Sequence, residues 1–157
     1  MKNNYLNIYN NLIKLTRNKN LYLNLKYTDT FSDRLIILFF HFGFFLNIYK
    51  IDTNKEYLQK LFDFVIKQIE LSIREIGYGD VSVNKKMKEY VNLFYSIIEQ
   101  IELWNSSDNK FKTDLMKNYL NIGKNLNYYV DYFEKYRSFL KKNALNNFTK
   151  DIINFKF

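Results

Sequence analysis

The chain has 157 residues and a mass of 19.2 kDa, which fits a single domain, 1–157, with one hydrophobic core. It contains no cysteine and one histidine, so disulfides, thiolate metal sites and histidine clusters for zinc or haem are excluded, and no cofactor is expected. The formal net charge is +8, with the basic excess toward both ends of the chain. This charge favours contact with an anionic surface, either ribosomal RNA or lipid headgroups, but it is also an ordinary means of solubility.

Helical periodicity begins close to the N-terminus. Apolar residues recur three and four positions apart over about residues 3–17, which predicts an amphipathic helix: Tyr5, Ile8, Tyr9, Leu12 and Leu15. A short second piece is expected near Lys19 to Leu25. Asp29 or Thr30 is a suitable N-cap for the next helix, which should run to about Lys50.

The run from Leu35 to Leu46 is apolar on every side. Its twelve residues would cover roughly 18 Å as a helix, against about 30 Å for the hydrocarbon core of a bilayer, so no membrane span is expected. The run also lacks the preceding basic segment and cleavage site of a signal peptide. A helix without a polar face is typical of the centre of a bundle.

The third long helix has the most regular pattern. Its N-cap is expected at Asp52, Thr53 or Asn54, and its apolar residues keep helical spacing: Leu58, Leu61, Phe62, Val65, Ile66, Ile69, Ile73 and Ile76. Gly77 marks its end, because the residue just past a helix often takes a left-handed backbone conformation that favours glycine. Asp80 or Ser82 is expected to cap the following helix, which continues to about Trp104.

Two further helices are expected at about 111–122 and 126–142, separated by Gly123, and 143–157 is a possible flexible tail. The sequence shows no strand pattern, phosphate loop or nucleophile elbow. It therefore predicts an all-α fold, a single compact bundle of about six helices with one mostly buried central helix. The predicted core across the glycine turn is Ile69, Ile73, Val91, Phe94 and Ile98.

Arg34 and His41 are seven residues apart, two helical turns, and so share a face of the central helix. Either His41 is a hydrogen-bonded core residue and Arg34 a cation that reaches solvent, or both line a groove that receives a partner. The opposite charges along the third helix are typical of surface ion pairs. No pair of carboxylates is placed for acid–base catalysis, so an enzyme is not expected.

Lys85, Lys86 and Lys88 form the densest basic cluster, directly after the glycine turn. Specific nucleic-acid recognition is not expected, because Tyr90 and Phe94 nearby should serve the core rather than stack on bases. A transient contact with a ribosome or a membrane surface remains open. Fourteen tyrosines and fifteen phenylalanines are too many to bury, so either exposed aromatic patches hold apolar helices or codon bias explains their number.

The glycine turn resembles the signature of the ubiquinol-cytochrome c chaperone family. The stronger match comprises Leu61-Phe62-Asp63, Arg74-Glu75, Gly77, Gly79-Asp80, Ser82-Val83 and Lys86-Met87-Lys88. A weaker match comprises Arg17, Leu21-Tyr22, Asp29-Thr30, Arg34 and His41. The resemblance spans roughly Arg17 to Asn127 and is looser in the C-terminal third.

This resemblance implies a helical assembly chaperone that binds newly made apocytochrome b and promotes assembly of ubiquinol-cytochrome c reductase. Implied partners are apocytochrome b as the client, the ribosome exit region and a small helical partner protein. Because no Arg-rich, Ser-rich presequence is visible, we expect a bacterial-type member in the cytoplasm, with peripheral contact at the inner membrane. The alternative is a basic helical module that contacts ribosomal RNA or an anionic membrane surface.

The family motif assigns a set of candidate client-binding residues: Asp29, Arg34, His41, Arg74, Glu75, Gly77, Gly79, Asp80 and Val83. A basic contact patch adds Lys85, Lys86 and Lys88. We expect an apolar, aromatic-lined groove near the central helix and the glycine turn, which would shield transmembrane segments of the client before membrane insertion and haem loading.

Overall fold

The computed structural model describes residues 2–27 and 30–150. Within them the chain forms six α-helices: α1 (Lys2–Thr16), α2 (Phe31–Tyr49), α3 (Lys55–Glu75), α4 (Asp80–Glu102), α5 (Asn109–Tyr119) and α6 (Leu126–Lys142). Short 3₁₀ segments lie at Lys19–Tyr22, Asp52–Asn54, Trp104–Ser106 and Leu145–Thr149. The predicted all-α bundle of about six helices is confirmed.

Helix α2 is the buried centre of the bundle, as predicted. Thr30 caps it, since the Thr30 hydroxyl oxygen accepts the Asp33 backbone N–H at 3.1 Å. Every residue from Leu35 to Phe45 is buried. Helices α1, α4 and α6 pack around it and cover its middle part on all sides.

The length argument against a membrane span is wrong, because α2 continues beyond the twelve-residue apolar run to 19 residues. By length and composition alone such a helix could cross a bilayer. In the fold, however, 67% of its most apolar window is buried inside the domain. That degree of burial is what a core helix requires.

Helices α2 and α4 approach each other closely at Gly43. A Cβ atom at this position would lie 2.6 Å from Ile101 Cδ1, so only glycine fits without displacement. Beside this contact Phe94 stacks on Phe42, with ring centroids 5.4 Å apart. Helix α3 joins the same layer through Phe62, whose ring lies 5.8 Å from that of Phe94.

The predicted core residues across the glycine turn separate into two groups. Ile69, Ile73 and Phe94 are buried. Val91 and Ile98 are half-buried, because α4 turns their side of the helix toward the boundary with solvent. The prediction of core positions for these two residues is therefore only partly met.

Helix α6 is fixed to α2 by buried hydrogen bonds around His41. His41 Nδ1 lies 2.8 Å from the Ile37 carbonyl oxygen and donates to it, so Nε2 is the acceptor for the Tyr132 hydroxyl at 2.7 Å. The Tyr136 hydroxyl donates to the His41 carbonyl oxygen at 2.9 Å. Because burial disfavours the charged form, the pKa of His41 falls to about 3, and the imidazole is neutral in the folded protein.

The C-terminal 3₁₀ segment packs on α1. Asn11 Nδ2 donates to the carbonyl oxygens of Phe148 and Lys150, both at 3.0 Å, and Asn7 Nδ2 donates to that of Thr149 at 2.8 Å. Phe148 is fully buried. Residues 143–150 of the expected possible flexible tail are therefore attached to the domain, while 151–157 lie outside the described residues.

The link between α5 and α6 is held by the loop that precedes α2. Leu25 and Ile122 form a single antiparallel bridge, and the Gly123 N–H donates to the Asn24 carbonyl oxygen at 2.7 Å. The expectation that Gly123 stops α5 is wrong, because the helix already ends at Tyr119. Gly123 instead lies where two backbones meet, with a built Cβ 3.4 Å from the Asn24 oxygen.

We predict that His41 makes the fold sensitive to acid. Between pH 6.5 and about 3 the unfolded chain binds a proton at His41 that the folded protein does not bind, so the free energy of unfolding falls as pH is lowered. From pH 7 to pH 5 the loss should be about 2 kcal/mol. Urea unfolding at both pH values measures it.

His41→Gln is the matched variant, because its carboxylates titrate as in the parent chain. Between pH 7 and pH 5 its free energy of unfolding should fall by about 2 kcal/mol less than that of the parent protein, whatever the absolute stability of the variant. Equal losses in the two proteins would contradict a buried neutral imidazole.

Candidate functional site

A groove opens where the C-terminal half of α1, the N-terminal half of α2 and the C-terminal half of α3 meet. We call it the α1–α3 groove, and its volume is about 620 Å³. Its apolar and aromatic lining consists of Tyr9, Ile13, Phe31, Leu35, Leu38, Ile69 and Ile76. Its polar lining consists of Asn10, Lys14, Thr16, Arg17, Arg34 and Ser72.

The charged residues in the described lining of the α1–α3 groove are all basic, although the Glu75 carboxylate lies close enough to act on Tyr9. Lys14, Arg17 and Arg34 line it, and none of its described lining residues is a carboxylate. Arg34 lies in the first turn of α2 and is exposed, whereas Leu35 and Leu38 beside it form the apolar floor. The groove therefore combines an apolar floor with a positively charged rim, which attracts acidic groups that flank an apolar segment.

Tyr9 fixes the two outer walls of this groove relative to each other. Its hydroxyl makes a hydrogen bond with Ser72 of α3, and its ring meets Phe64 edge-on with centroids 6.4 Å apart. Burial raises the pKa of the Tyr9 hydroxyl, and the Glu75 carboxylate raises it slightly further, although the Ser72 hydrogen bond and the nearby Arg17 act in the opposite direction. Tyr9 is thus a neutral hydrogen-bonding side chain that holds α1 against α3.

A second groove, the α2–α4 groove, lies at the C-terminal ends of α2 and α4, with a volume of about 470 Å³. It is lined by Leu46, Asn47, Lys50, Ile51, Asp52, Lys55, Leu58, Gln59, Phe62, Tyr95, Ile98 and Glu102. Lys50 Nζ lies 2.8 Å from a Glu102 carboxylate oxygen, an ion pair between the two helices. Its charges are mixed, so it lacks the uniform positive rim of the first groove.

The family-motif residues lie together at the turn between α3 and α4. Gly77 has a φ of +106°, in the region that strains side chains with a Cβ, and its N–H donates to the Arg74 carbonyl oxygen at 3.0 Å. Arg74 also forms ion pairs with Glu70, at 3.1 Å, and with Asp80. Arg74 thereby connects the last turn of α3 to the first residue of α4.

The predicted capping of α4 by Asp80 or Ser82 is wrong. Gly79 is the N-cap, without a side-chain cap, and Asp80 is the first helical residue. The carboxylate of Asp80 binds Arg74 instead, because the turn places the guanidinium within reach. Of the other motif residues Val83 is fully buried, whereas Glu75 is exposed.

The structure separates the two candidate residues of α2. Arg34 lines the α1–α3 groove, but His41 is completely buried against α6. The hypothesis that both line one groove is therefore wrong, and His41 is a hydrogen-bonded core residue. They share a helical face, but α6 covers that face at the level of His41 and leaves it open at the level of Arg34.

The remaining predicted positions that the structure describes lie outside the α1–α3 groove. Asp29 is outside the described residues. Lys85 and Lys88 are exposed on the first turns of α4, and Lys86 Nζ lies 4.7 Å above the centre of the Tyr78 ring. Within 2–27 and 30–150, no group of three or more potential metal ligands is found.

The wall contributed by α1 was not identified from the sequence. Tyr9 and Ile13 are four residues apart, with Arg17 one turn further, so all three lie on one side of α1. Their spacing predicted an amphipathic helix, but it could not show that this side remains partly uncovered. Whether this side of α1 is covered depends on the distance between α2 and α3, which the sequence does not give.

The fold and the α1–α3 groove define the class of protein: an all-helical domain with an apolar, aromatic-lined groove beside its central helix. The chain belongs to the ubiquinol-cytochrome C chaperone family, whose model matches residues 23–155. Membership implies a non-enzymatic chaperone role in assembly of ubiquinol-cytochrome c reductase, with a client protein as partner. The match extends further toward the C-terminus than the resemblance predicted.

A solved structure has the same fold. The crystal structure of the Cbp3 homolog from Brucella abortus superposes with a TM-score of 0.79 at 20% sequence identity. The alignment covers 98% of this chain and 89% of that chain. A search of curated proteins finds no significant match.

We predict that the two glycines of the motif differ in their tolerance of a Cβ atom. Gly77→Ala should lower the free energy of unfolding by about 1–2 kcal/mol, because its φ of +106° is strained for any residue with a Cβ. Gly79→Ala should be nearly neutral, since Gly79 has a φ of −73°. Chemical denaturation of the two variants measures the difference.

The pair is matched, because a built Cβ has no neighbour within 4 Å at either glycine. Packing cannot then explain a difference, and only the backbone conformation remains. Equal stability of the two variants would remove the conformational reason for the motif.

Proposed function

We propose that this protein is a chaperone that binds newly made apocytochrome b in the bacterial cytoplasm and promotes assembly of ubiquinol-cytochrome c reductase. Family membership gives the process, and the α1–α3 groove supports the binding step. The observation that carries the proposal is an apolar, aromatic-lined groove with three cations and no carboxylate in its described lining.

The floor of the groove suits a transmembrane segment that has not yet reached the bilayer. Such a segment consists of apolar side chains, whose removal from water stabilises a complex by roughly 25 cal/mol per Å². The groove has a volume of about 620 Å³, enough for a few large side chains from one face of a helix. The client would therefore be bound through a few side chains on successive turns of one helix face, while its other faces stay outside the groove.

The walls of the groove exist before any client binds. Tyr9 links α1 to α3 through Ser72 and Phe64, while Leu35 and Leu38 of the floor belong to the buried central helix. A preformed site loses little conformational entropy on binding, so modest apolar contacts suffice for reversible capture. Reversibility is necessary for a chaperone, because the client must later be released to the membrane.

The cationic rim would act mainly on the rate and orientation of binding. Lys14, Arg17 and Arg34 attract acidic groups at the ends of an apolar segment, and exposed charges of this kind change association rates more than they change affinity. Salt should therefore slow capture without abolishing it, since the apolar floor is not screened.

We predict that Ile13→Ser weakens capture of an apocytochrome b transmembrane peptide by roughly 10-fold or more. Ile13 is a half-buried residue of the groove lining, and the loss of one apolar anchor at an interface removes about 1–3 kcal/mol. A peptide with a fluorescent label, titrated in mild detergent, gives the affinity by anisotropy.

Ile98→Ser is the matched control, because Ile98 is also a half-buried helical isoleucine but lines the α2–α4 groove. Both variants lose similar packing, so their thermal stabilities serve as a check on folding. If Ile98→Ser lost capture and Ile13→Ser did not, the client would bind in the α2–α4 groove instead. Affinity capture from the native host should also copurify cytochrome b with the parent protein and less of it with Ile13→Ser.

A further inference from the structure

The turn between α3 and α4 exposes apolar side chains, most of which lie outside both grooves. Ile76, Tyr78 and Val81 are 58%, 44% and 85% exposed, and we call these three residues the hinge patch. Tyr78 and Val81 line neither groove. Three exposed apolar residues within six positions of one turn are more than scattered surface residues, and such a concentration is typical of an interaction site.

The hinge patch lies at one end of the bundle. Phe31, the first residue of α2, packs beside Tyr90 of α4, with ring centroids 6.4 Å apart. From Tyr90, helix α4 continues back to its first residue, Asp80, a further length of about 15 Å. Built Cβ atoms at Gly77 and Gly79 have no neighbour within 4 Å, so open space surrounds the turn between them.

Lysines lie beside this apolar patch. Lys85 and Lys88 are exposed, and Lys86 lies over the Tyr78 ring at 4.7 Å. Of the acidic residues nearby, Asp80 is paired with Arg74, while Glu75 and Glu89 are exposed. Exposed apolar side chains next to a group of lysines are typical of segments that lie in the headgroup region of a membrane containing anionic lipids.

We propose that the hinge patch inserts among the headgroups of an anionic bilayer, with Lys85, Lys86 and Lys88 bound to lipid phosphates. This inference goes beyond the proposed chaperone function and does not depend on it. A bilayer fits the patch better than RNA does, because Val81 and Ile76 carry no π-face for bases and gain nothing from contact with phosphates. The central helix α2 takes no part, since it is enclosed by the domain.

Membrane binding at this patch would bring the groove close to the bilayer. Ile76 belongs both to the hinge patch and to the lining of the α1–α3 groove. A client segment in the groove would therefore lie next to the surface into which it must be released.

Vesicle flotation tests the insertion. The parent protein should bind vesicles of phosphatidylcholine with phosphatidylglycerol, and bind vesicles of phosphatidylcholine alone far less. The double variant Tyr78→Ser, Val81→Ser should reduce binding to the anionic vesicles by roughly 10-fold. The matched control is Tyr95→Ser, Leu103→Ser, which removes one tyrosine of α4 and the aliphatic residue that follows α4, each 50% exposed and away from the turn.

The contribution of the three lysines is tested with a second matched pair of variants. Replacing Lys85, Lys86 and Lys88 by Gln should weaken binding on the order of 100-fold, since each lysine near an anionic surface contributes about one tenfold step or slightly less. The control replaces three exposed lysines elsewhere, Lys117, Lys135 and Lys141, and lowers the net charge equally. This control should weaken vesicle binding several-fold at most, because its three charges lie away from the hinge patch.

Fluorescence reports insertion directly. The one native tryptophan, Trp104, is buried and gives a constant background. Val81→Trp should show a blue-shifted emission and quenching by brominated lipid when anionic vesicles are added, whereas Leu103→Trp should show neither.

Three results would overturn the proposal: no vesicle binding by the parent protein, no shift with Val81→Trp, or equal binding by the parent and the Tyr78→Ser, Val81→Ser variant. The triple lysine variant alone could lose binding, both to vesicles and to ribosomal RNA, while the Tyr78→Ser, Val81→Ser variant keeps it. The contact would then be purely electrostatic, and insertion of the hinge patch would be wrong. Client capture without lipid should be unchanged in the Tyr78→Ser, Val81→Ser variant, because neither residue lines the α1–α3 groove. The two proposals can therefore fail separately.

Discussion

A helix of 19 residues without a polar face has to be covered on all sides, and α2 sets this requirement for the whole domain. Its five phenylalanines between positions 39 and 45 are completely buried. Each contributes roughly 1.5–3 kcal/mol when removed from water, so no arrangement that leaves one side of α2 exposed can compete. Helices α1, α4 and α6 are therefore placed by the need to enclose it.

Two positions on α2 show how this enclosure is achieved. Gly43 has no side chain, which lets α4 approach, and His41 finds both of its hydrogen-bond partners within the core. The enclosure ends at the first turn of α2, where Phe31 is half-buried and Arg34 is exposed. The α1–α3 groove begins there, so the site that we assign to a client is the place where the covering of the apolar helix is incomplete.

The sequence predicted the helices well because their signals are local. Residues of α3 keep helical spacing over more than five turns, and Gly77 marks the end of that helix as a positive φ requires. Where two local preferences competed, the sequence was ambiguous. Asp80 was available both as a cap and as a partner for Arg74, and only the path of the turn determines that the ion pair forms.

The groove was harder to predict, because it depends on distances between helices. Spacing correctly placed Arg34 and His41 on one face of α2, yet α6 covers that face at His41 and leaves it open at Arg34. Likewise Tyr9 and Ile13 were recognised as one side of an amphipathic helix, which most often means core. Composition predicted exposed aromatic residues but could not locate them.

The contact between the two ends of the described chain has a consequence for the order in which the domain is completed during synthesis. Asn7 and Asn11 of α1 bind carbonyl oxygens at residues 148–150, and Phe148 fills the space beside them. Helix α1 thus acquires these neighbours only after residues 148–150 have been translated, about 130 residues later than α1 itself. Until then one side of α1 stays uncovered, so the domain completes its packing only after its C-terminal 3₁₀ segment has been synthesised.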